Sequence, residues 1–170
     1  VLGSQYADRG RRVMKNYYTY IKIALVVLLL GFIVFDMRRD PISNAQIDTV
    51  EKAVVSVSDF KDAAPSENRM VKRFYGLNPK DYEGAILYAP SDNMDAKELF
   101  LIKLTDVSQS DAVQDAIEER LDTQKKSFEG YGAEQTKLLN DHVLEVKGNY
   151  ILYYVGGNTS KVRQAFLDSL

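Results

Sequence analysis

The chain has 170 residues, with 22 Lys/Arg, 24 Asp/Glu and a formal net charge of −2. This length allows one soluble domain plus one further segment, and it excludes a second sizeable core. Because the chain contains no cysteine, disulfides, thiolate nucleophiles, zinc–cysteine sites and a lipid-modified cysteine are also excluded. We expect no cofactor.

Charge is distributed unevenly along the chain. Residues 1–40 contain seven Lys/Arg and three Asp, whereas residues 41–170 contain fifteen Lys/Arg and twenty-one Asp/Glu. Phosphate binding requires clustered positive charge. An acidic C-terminal part without a basic stripe therefore argues against a nucleic-acid partner.

The most apolar stretch covers residues 17–35, YYTYIKIALVVLLLGFIVF, and its last thirteen residues contain no charge. Nineteen residues at helical rise span roughly 28 Å, close to the thickness of the hydrocarbon core. Lys22 can extend its ammonium group to the lipid headgroups, at the level of the flanking tyrosines. The pattern predicts a single transmembrane helix over residues 17–35.

The basic residues predict the orientation of this helix. Four Lys/Arg lie in residues 9–15 and two in residues 38–39, so residues 1–16 should be a cytoplasmic tail and the C-terminal part should be extracytoplasmic. A cleaved signal peptide is the competing interpretation, but the residues after Phe35, DMRRDP, contain no small-x-small cleavage site. We therefore expect a single-pass signal-anchor protein of the cell membrane.

Helix signals come first in the extracytoplasmic part. Asp40-Pro41 ends the membrane helix, and apolar residues at helical spacing predict a short amphipathic helix over residues 45–57. This helix is assigned to a juxtamembrane linker over residues 36–65, which leaves residues 66–170 as the folded domain. A second helix is predicted from Ser66 to the vicinity of Gly76.

Strand and helix signals then alternate. Residues 82–90 (YEGAILYAP) and 98–104 (ELFLIKL) have strand character and are apolar on both faces. A long helix follows a cap at Ser108 or Ser110, and its predicted buried stripe consists of Val113, Ala116, Ile117, Leu121 and Phe128. After a polar connection over residues 133–141 come a hairpin and a last helix, capped by Asn158 or Thr159.

The hairpin is centred on Gly148-Asn149, a dipeptide typical of two-residue primed turns. This loop pairs Lys147 with Tyr150 and Val143 with Tyr154. One face of the hairpin then carries Leu144, Val146, Ile151, Tyr153 and Val155, while the other carries Val143, Glu145, Lys147, Tyr150, Leu152 and Tyr154. The first set is the predicted core face.

The order of elements predicts an α+β domain. We expect a small antiparallel sheet built from two strand-strand-helix units, with helices on one face.

Three stretches carry a resemblance to a known family: FYGLNPKDYEGAILYAP (74–90), QKKSFEGYGAEQ (124–135) and LEVKGNYILYYV (144–155). With the element order around them, residues 66–170 resemble the domain of unknown function 4358 family, found in Gram-positive bacteria behind a lipoprotein signal or a membrane anchor. The resemblance implies a membrane-tethered extracytoplasmic domain and no particular reaction. Since the lipoprotein cysteine is missing, anchoring would depend on the helix.

Candidate catalytic and metal-binding residues are few. His142 is the only histidine, and as a general base it would need an orienting carboxylate and a nucleophile, so a structural role is favoured. The oxygen ligands of Asp92, Asn93, Asp95 and Glu98 could bind a hard cation. Their spacing does not match a calcium loop, so turn and capping chemistry is the preferred interpretation. We predict no catalytic residue and no metal site.

Two classes of function are compatible with these features. The favoured one is a non-catalytic binding or accessory module of a bacterial cell envelope, with a protein partner or a cell-envelope ligand. The alternative is a cell-envelope hydrolase that uses carboxylates alone, for which the nearest candidates are Glu129, Asp81, Glu83 and Asp92. Two of these carboxyl groups within about 5–10 Å of each other in one cleft would support the hydrolase.

The second face of the hairpin is the predicted binding surface. Tyr150, Leu152 and Tyr154 would form its aromatic and apolar centre, with Lys103 and Lys147 as its polar rim. Two interpretations of this face remain open. It is either exposed and available to a partner, or covered by the helix at 45–57 or by the 133–141 connection.

Overall fold

The computed structural model describes residues 18, 20–33, 41–90 and 92–170. The chain divides into two compact units, residues 1–40 and residues 41–170. In the first unit residues 20–33 are helical (α1), with exposed side chains throughout. The other parts of the predicted membrane segment, at residues 17, 19 and 34–35, lie outside the described residues. Among the residues described, no helix has the length and apolar character required to cross a membrane.

The second unit is an α+β domain, as predicted. Its helices are α2 (Ile47–Val57), α3 (Asn68–Tyr75), α4 (Ser110–Phe128), α5 (Ala133–Asn140) and α6 (Thr159–Asp168). Its strands are β1 (Gly84–Tyr88), β2 (Glu98–Lys103), β3 (Val143–Lys147) and β4 (Tyr150–Val155). The helices predicted near residues 45–57, after residue 108 and after residue 158 are confirmed.

Two local predictions differ from the structure. The segment 133–141, predicted as a polar connection, contains helix α5, whose Leu138 and Leu139 contribute to a hydrophobic core. Helix α3 begins at Asn68 and not at Ser66, because the Ser66 hydroxyl accepts a hydrogen bond from the backbone of Ala89 instead of capping the helix. Gly76 ends α3 in the left-handed conformation, as expected.

The sheet is antiparallel throughout, with the strand order β1-β2-β4-β3. The predicted hairpin register is confirmed, since Lys147 pairs with Tyr150 and Val143 with Tyr154. Gly148 has a φ of 57°, which is the left-handed geometry that a primed turn requires. The central strands β2 and β4 are buried along their whole length.

Helices cover both faces of the sheet, so the prediction of helices on one face is wrong. On one face Phe100, Ile102 and Tyr153 pack with residues of α3, α4 and α5; we call this the first core. On the other face Leu101 and Leu152 pack with residues of α2 and α6, which form the second core. The physical reason is that β2 and β4 are apolar on both sides, and both apolar faces of a sheet must be removed from water.

Helix α2 belongs to the folded unit and not to a linker. Its Val50 and Val54 are fully buried in the second core. The residues before it are also fixed, because the Tyr150 hydroxyl donates to the Ala45 carbonyl at 2.6 Å and the Ser43 amide donates to Asn149 Oδ1 at 2.9 Å. Residues 41–65, predicted as linker, therefore fold with the domain, and residues 41–170 contain a complete sheet and both cores.

The Gly148 turn provides a first testable prediction. An alanine at position 148 would have to adopt the left-handed φ of 57°, and its Cβ would also collide with the Pro41 carbonyl. Gly130 also has a positive φ, of 87°, but the space around it is open. A left-handed non-glycine residue costs about 1–2 kcal/mol, and overpacking adds about 1–3 kcal/mol. Gly148→Ala should therefore lower the free energy of unfolding of residues 41–170 by more than Gly130→Ala does. Urea unfolding measures the loss for each variant. Equal losses would show that residues 41–46 move away from the new side chain without a cost in stability.

Candidate functional site

The predicted binding surface is not a surface in the folded domain. Tyr150, Leu152 and Tyr154 are all 0% exposed and lie in the second core under α2 and α6. The interpretation that this face is covered is therefore correct. Helix α2 contributes to the cover, as one of the two alternatives had it. Helix α5, from the 133–141 connection, packs on the opposite face. The prediction of an open tyrosine face is wrong because the apolar residues of α2 and α6 bury it.

The polar atoms of this set are engaged inside the domain. Tyr154 donates to the Gly157 carbonyl at 2.8 Å, and Lys103, only 5% exposed, pairs with Glu83. Lys147 is half-buried at the end of β3. Burial raises the pKa of Tyr150 and of Tyr154 to about 12. In the folded domain Tyr154 and Lys103 thus serve the internal structure.

The carboxylates considered for a hydrolase are not all gathered in one cleft. Asp81 and Glu83 precede β1 and Asp92 follows it, so roughly 17 Å of extended strand separates the two groups. Glu83 lines a depression beside residues 42–46, whereas Asp92 lines a different cleft. Glu129 caps the end of α4 and is exposed.

His142 and the predicted oxygen cluster have structural contacts. His142 Nδ1 lies 2.8 Å from the Leu139 carbonyl at the end of α5; since a carbonyl can only accept, Nδ1 carries the proton. Asp92 Oδ1 accepts from the Met94 amide at 2.7 Å and Asp95 Oδ1 from the Lys97 amide at 3.0 Å. This is the turn and capping chemistry that the sequence favours. Glu98, in contrast, is buried on β2.

A cleft that the sequence analysis does not anticipate lies between α3, α4 and the β1–β2 connection. It has a volume of about 520 Å³, and we call it the α3–α4 cleft; it is lined by Met70, Arg73, Phe74, Pro90, Asp92, Asn93, Asp95, Arg120, Gln124, Ser127 and Tyr131. A second depression of about 350 Å³ adjoins it, and the two share Arg73, Phe74 and Arg120. Lys72 and Glu119 line only this second depression.

The Arg120 guanidinium is held in place by a buried carboxylate. Arg120 Nη2 donates to Glu98 Oε2 at 2.8 Å and Nε to the same oxygen at 3.2 Å, while the Tyr75 hydroxyl donates to Oε1. Burial raises the pKa of Glu98, against the opposing effects of Arg120 and Tyr75. The guanidinium also lies 4.1 Å from the centre of the Phe74 ring, within cation–π range. It is therefore a preorganised positive group at the edge of the cleft.

Gln124 is the unusual residue of this site. It lies one helical turn after Arg120 and is only 8% exposed. Within the described part of the chain, its side-chain amide forms no hydrogen bond with the protein. The three Arg120 contacts to Glu98 use Nε and Nη2 and do not involve Gln124. The buried side-chain polar atom without a partner, among the described residues, is the Tyr153 hydroxyl and not the Gln124 amide. The Gln124 amide is therefore reached from the cleft that it lines, and a ligand can contact it there.

The lining of the cleft is mostly polar or charged. Its apolar and aromatic members are Met70, Phe74, Pro90 and Tyr131, and Tyr131 is 64% exposed. The site thus presents convergent polar groups beside a small apolar surface.

A sequence model of the family described as Domain of unknown function (DUF4358) matches residues 56–156. The chain belongs to this family. The resemblance found in the sequence is confirmed, and the matched region contains the whole sheet, helices α3 to α5 and every residue that lines the α3–α4 cleft. No curated protein and no solved structure matches the chain.

The sequence contains a signal for this site in the DUF4358 domain, although the sequence analysis does not use it. Glu98 shares the inward register of Phe100 and Ile102 on β2, so a carboxylate enters an apolar core. Arg120 and Gln124 interrupt or border the apolar stripe of α4. A polar residue on each of two facing apolar surfaces predicts a buried pair. Which pair forms depends on how α4 packs across the sheet, and that is a tertiary property.

Proposed function

We propose that this chain is a membrane-tethered, non-catalytic binding module of a bacterial cell envelope, and that its ligand occupies the α3–α4 cleft. The observation that carries the proposal is Gln124, a residue only 8% exposed whose side-chain amide lines the cleft and has no hydrogen-bond partner in the described part of the protein. It lies beside a guanidinium already oriented by Glu98.

The geometry of the cleft favours a ligand. The Gln124 side chain lines the cleft and its amide has no partner among the described residues. A ligand can therefore hydrogen-bond to it without displacing a protein contact, and Arg120 needs no rearrangement. The volume of about 520 Å³ also lies within the usual range of small-ligand sites, about 300–1,000 Å³.

The proposed tether is helix α1. Its side chains Leu25, Leu28 and Phe32 are each more than half exposed, and a helix that is apolar all round needs apolar surroundings. The excess of Lys/Arg in residues 9–15 supports a cytoplasmic N-terminus. On this proposal, residues 41–170 lie outside the membrane on the extracytoplasmic side.

Protease protection tests the location. Protease added to intact spheroplasts should degrade residues 41–170, while an epitope tag before residue 1 should remain protected until lysis. Protection of the C-terminal domain until lysis would contradict the proposed topology.

Site-specific photo-crosslinking tests the binding function. A photoreactive side chain at position 131, at the mouth of the cleft, should capture a ligand in envelope membranes, and the adduct should be lost with Gln124→Leu. The same group at the exposed position 161, on α6, provides the matched control. Equal adducts at both positions would refute a specific cleft ligand. Turnover of a cell-wall fragment without an adduct at position 131 would favour the carboxylate hydrolase.

A further inference from the structure

We infer that the α3–α4 cleft binds the carboxyl-terminal end of a peptide, with the terminal carboxylate at Arg73 and Arg120 and a nearby peptide group at Gln124. This inference rests on the proposed function and specifies the ligand class of the same site. Three features of the cleft carry it: two guanidinium groups near the Phe74 ring, an amide without a partner among the described residues, and the spacing of Arg120 and Gln124 along α4.

The guanidinium groups provide the anion site. Arg120 and Arg73 both lie near the Phe74 ring, 4.1 Å and 5.9 Å from its centre. In the adjoining depression, the basic side chains of Lys72, Arg73 and Arg120 outnumber the one acidic side chain, Glu119. Glu98 engages Nε and Nη2 of Arg120, which leaves Nη1 without a hydrogen-bond partner among the described residues. A planar carboxylate is the natural partner of such guanidinium groups.

The unpaired amide provides the second contact. A glutamine side chain presents a carbonyl acceptor and an NH₂ donor side by side, and a peptide group offers the complementary pair. Gln124 lines the cleft, and neither group bonds to another described residue. A ligand amide can therefore pair with Gln124 without breaking a contact of the fold.

The spacing of the two contacts fits one end of an extended peptide. Arg120 and Gln124 are four residues apart on α4, which places their Cβ atoms about 5–6 Å apart on the same face. An extended peptide advances about 3.3–3.6 Å per residue. A carboxylate at Arg120 thus brings a peptide group one or two residues before the terminus to Gln124.

The rest of the cleft defines the direction of the chain. Asp92 lines the α3–α4 cleft but not the adjoining depression of about 350 Å³. Its negative charge repels a carboxylate placed at the Asp92 end of the cleft. The exposed Tyr131, which lines the cleft, can pack against peptide side chains. An acetamido sugar would satisfy Gln124, but without a carboxylate it would leave Arg73 and Arg120 unused. The peptide is therefore the better match.

Calorimetric titration of the full chain in detergent micelles tests the inference. The probes are N-acetyl-tetra-alanine with a free carboxyl terminus, the same peptide with a C-terminal carboxamide, and N-acetylglucosamine. We expect the acid to bind and the carboxamide to bind at least about tenfold more weakly, since hydrogen bonds to charged groups exceed 1.4 kcal/mol.

Two variants distinguish recognition from structure. Gln124→Leu should weaken binding of the acid at least about tenfold and leave the thermal midpoint nearly unchanged, because the amide that it removes forms no hydrogen bond within the described protein. Gln114→Leu, the same change on α4 outside the cleft, should bind like the unmodified chain. A Gln124→Leu chain that binds normally would overturn the inference.

The remaining outcomes separate this inference from the proposed function. Equal binding of acid and carboxamide, or tighter binding of N-acetylglucosamine than of either peptide, would overturn peptide-terminus recognition and leave a binding module. If none of the three probes binds but a specific adduct forms at position 131, peptide-terminus recognition is likewise overturned and a binding module remains. If no probe binds and no specific adduct forms at position 131, both the inference and the proposed function are refuted.

Discussion

Replacing Tyr154 with Ala should lower the free energy of unfolding of residues 41–170 by about 3–5 kcal/mol, as expected for truncation of a buried aromatic residue. Tyr154 is 0% exposed, and its ring packs edge-on against Phe60 at 6.4 Å. Its hydroxyl also connects two segments, since it donates to the Gly157 carbonyl at 2.8 Å and accepts from the Asp59 amide at 3.3 Å. The truncation would leave a cavity and unpair both backbone groups.

Urea unfolding with two further variants tests this result. Tyr154→Phe keeps the ring and removes the hydroxyl contacts, each worth about 0.5–1.5 kcal/mol, so its loss should be intermediate. Tyr131→Ala removes a tyrosine that is 64% exposed and should change stability by no more than about 0.5 kcal/mol. A small loss for Tyr154→Ala would show that α2 and α6 do not cover this face in solution.

Replacing Arg120 with Ala should also cost about 3–5 kcal/mol near neutral pH, because it leaves a buried charge without its partner. The Glu98 side chain is 1% exposed, and after the substitution the Tyr75 hydroxyl would be its one remaining hydrogen-bond donor among the described residues. A double variant, Glu98→Leu with Arg120→Met, should recover most of the loss because it replaces both charges with apolar groups.

The loss caused by Arg120→Ala should depend on pH. Arg120 lowers the pKa of Glu98, against the effect of burial, so without it the pKa in the folded state rises further above the unfolded value. A carboxyl group with a raised folded pKa stabilises the fold below its unfolded pKa, and this contribution is lost as the pH rises through the folded value. The loss should therefore be larger at about pH 8 than at about pH 4.5, relative to the unmodified domain. A loss that does not change with pH would contradict a buried ion pair.

Several features of the domain follow from local sequence alone. The Gly148-Asn149 loop fixes the hairpin register because a two-residue turn permits one pairing of the strands, and the observed pairs agree with it. The stripe of Val113, Ile117, Leu121 and Phe128 is buried as its helical spacing predicts. These features depend on residues close together in the chain, where backbone geometry limits the alternatives.

The tertiary structure decided which helices cover each face of the sheet and where the cleft lies. The hairpin pattern places Tyr150 and Tyr154 on one face, but it does not show whether that face meets water, α2 or α5. The cleft requires Glu98 of β2 to meet Arg120 of α4, twenty-two residues apart, while Gln124 remains unpaired. Periodicity shows which side of an element is apolar; the choice of partner for that side depends on how distant segments pack together, because burial can be achieved by more than one arrangement.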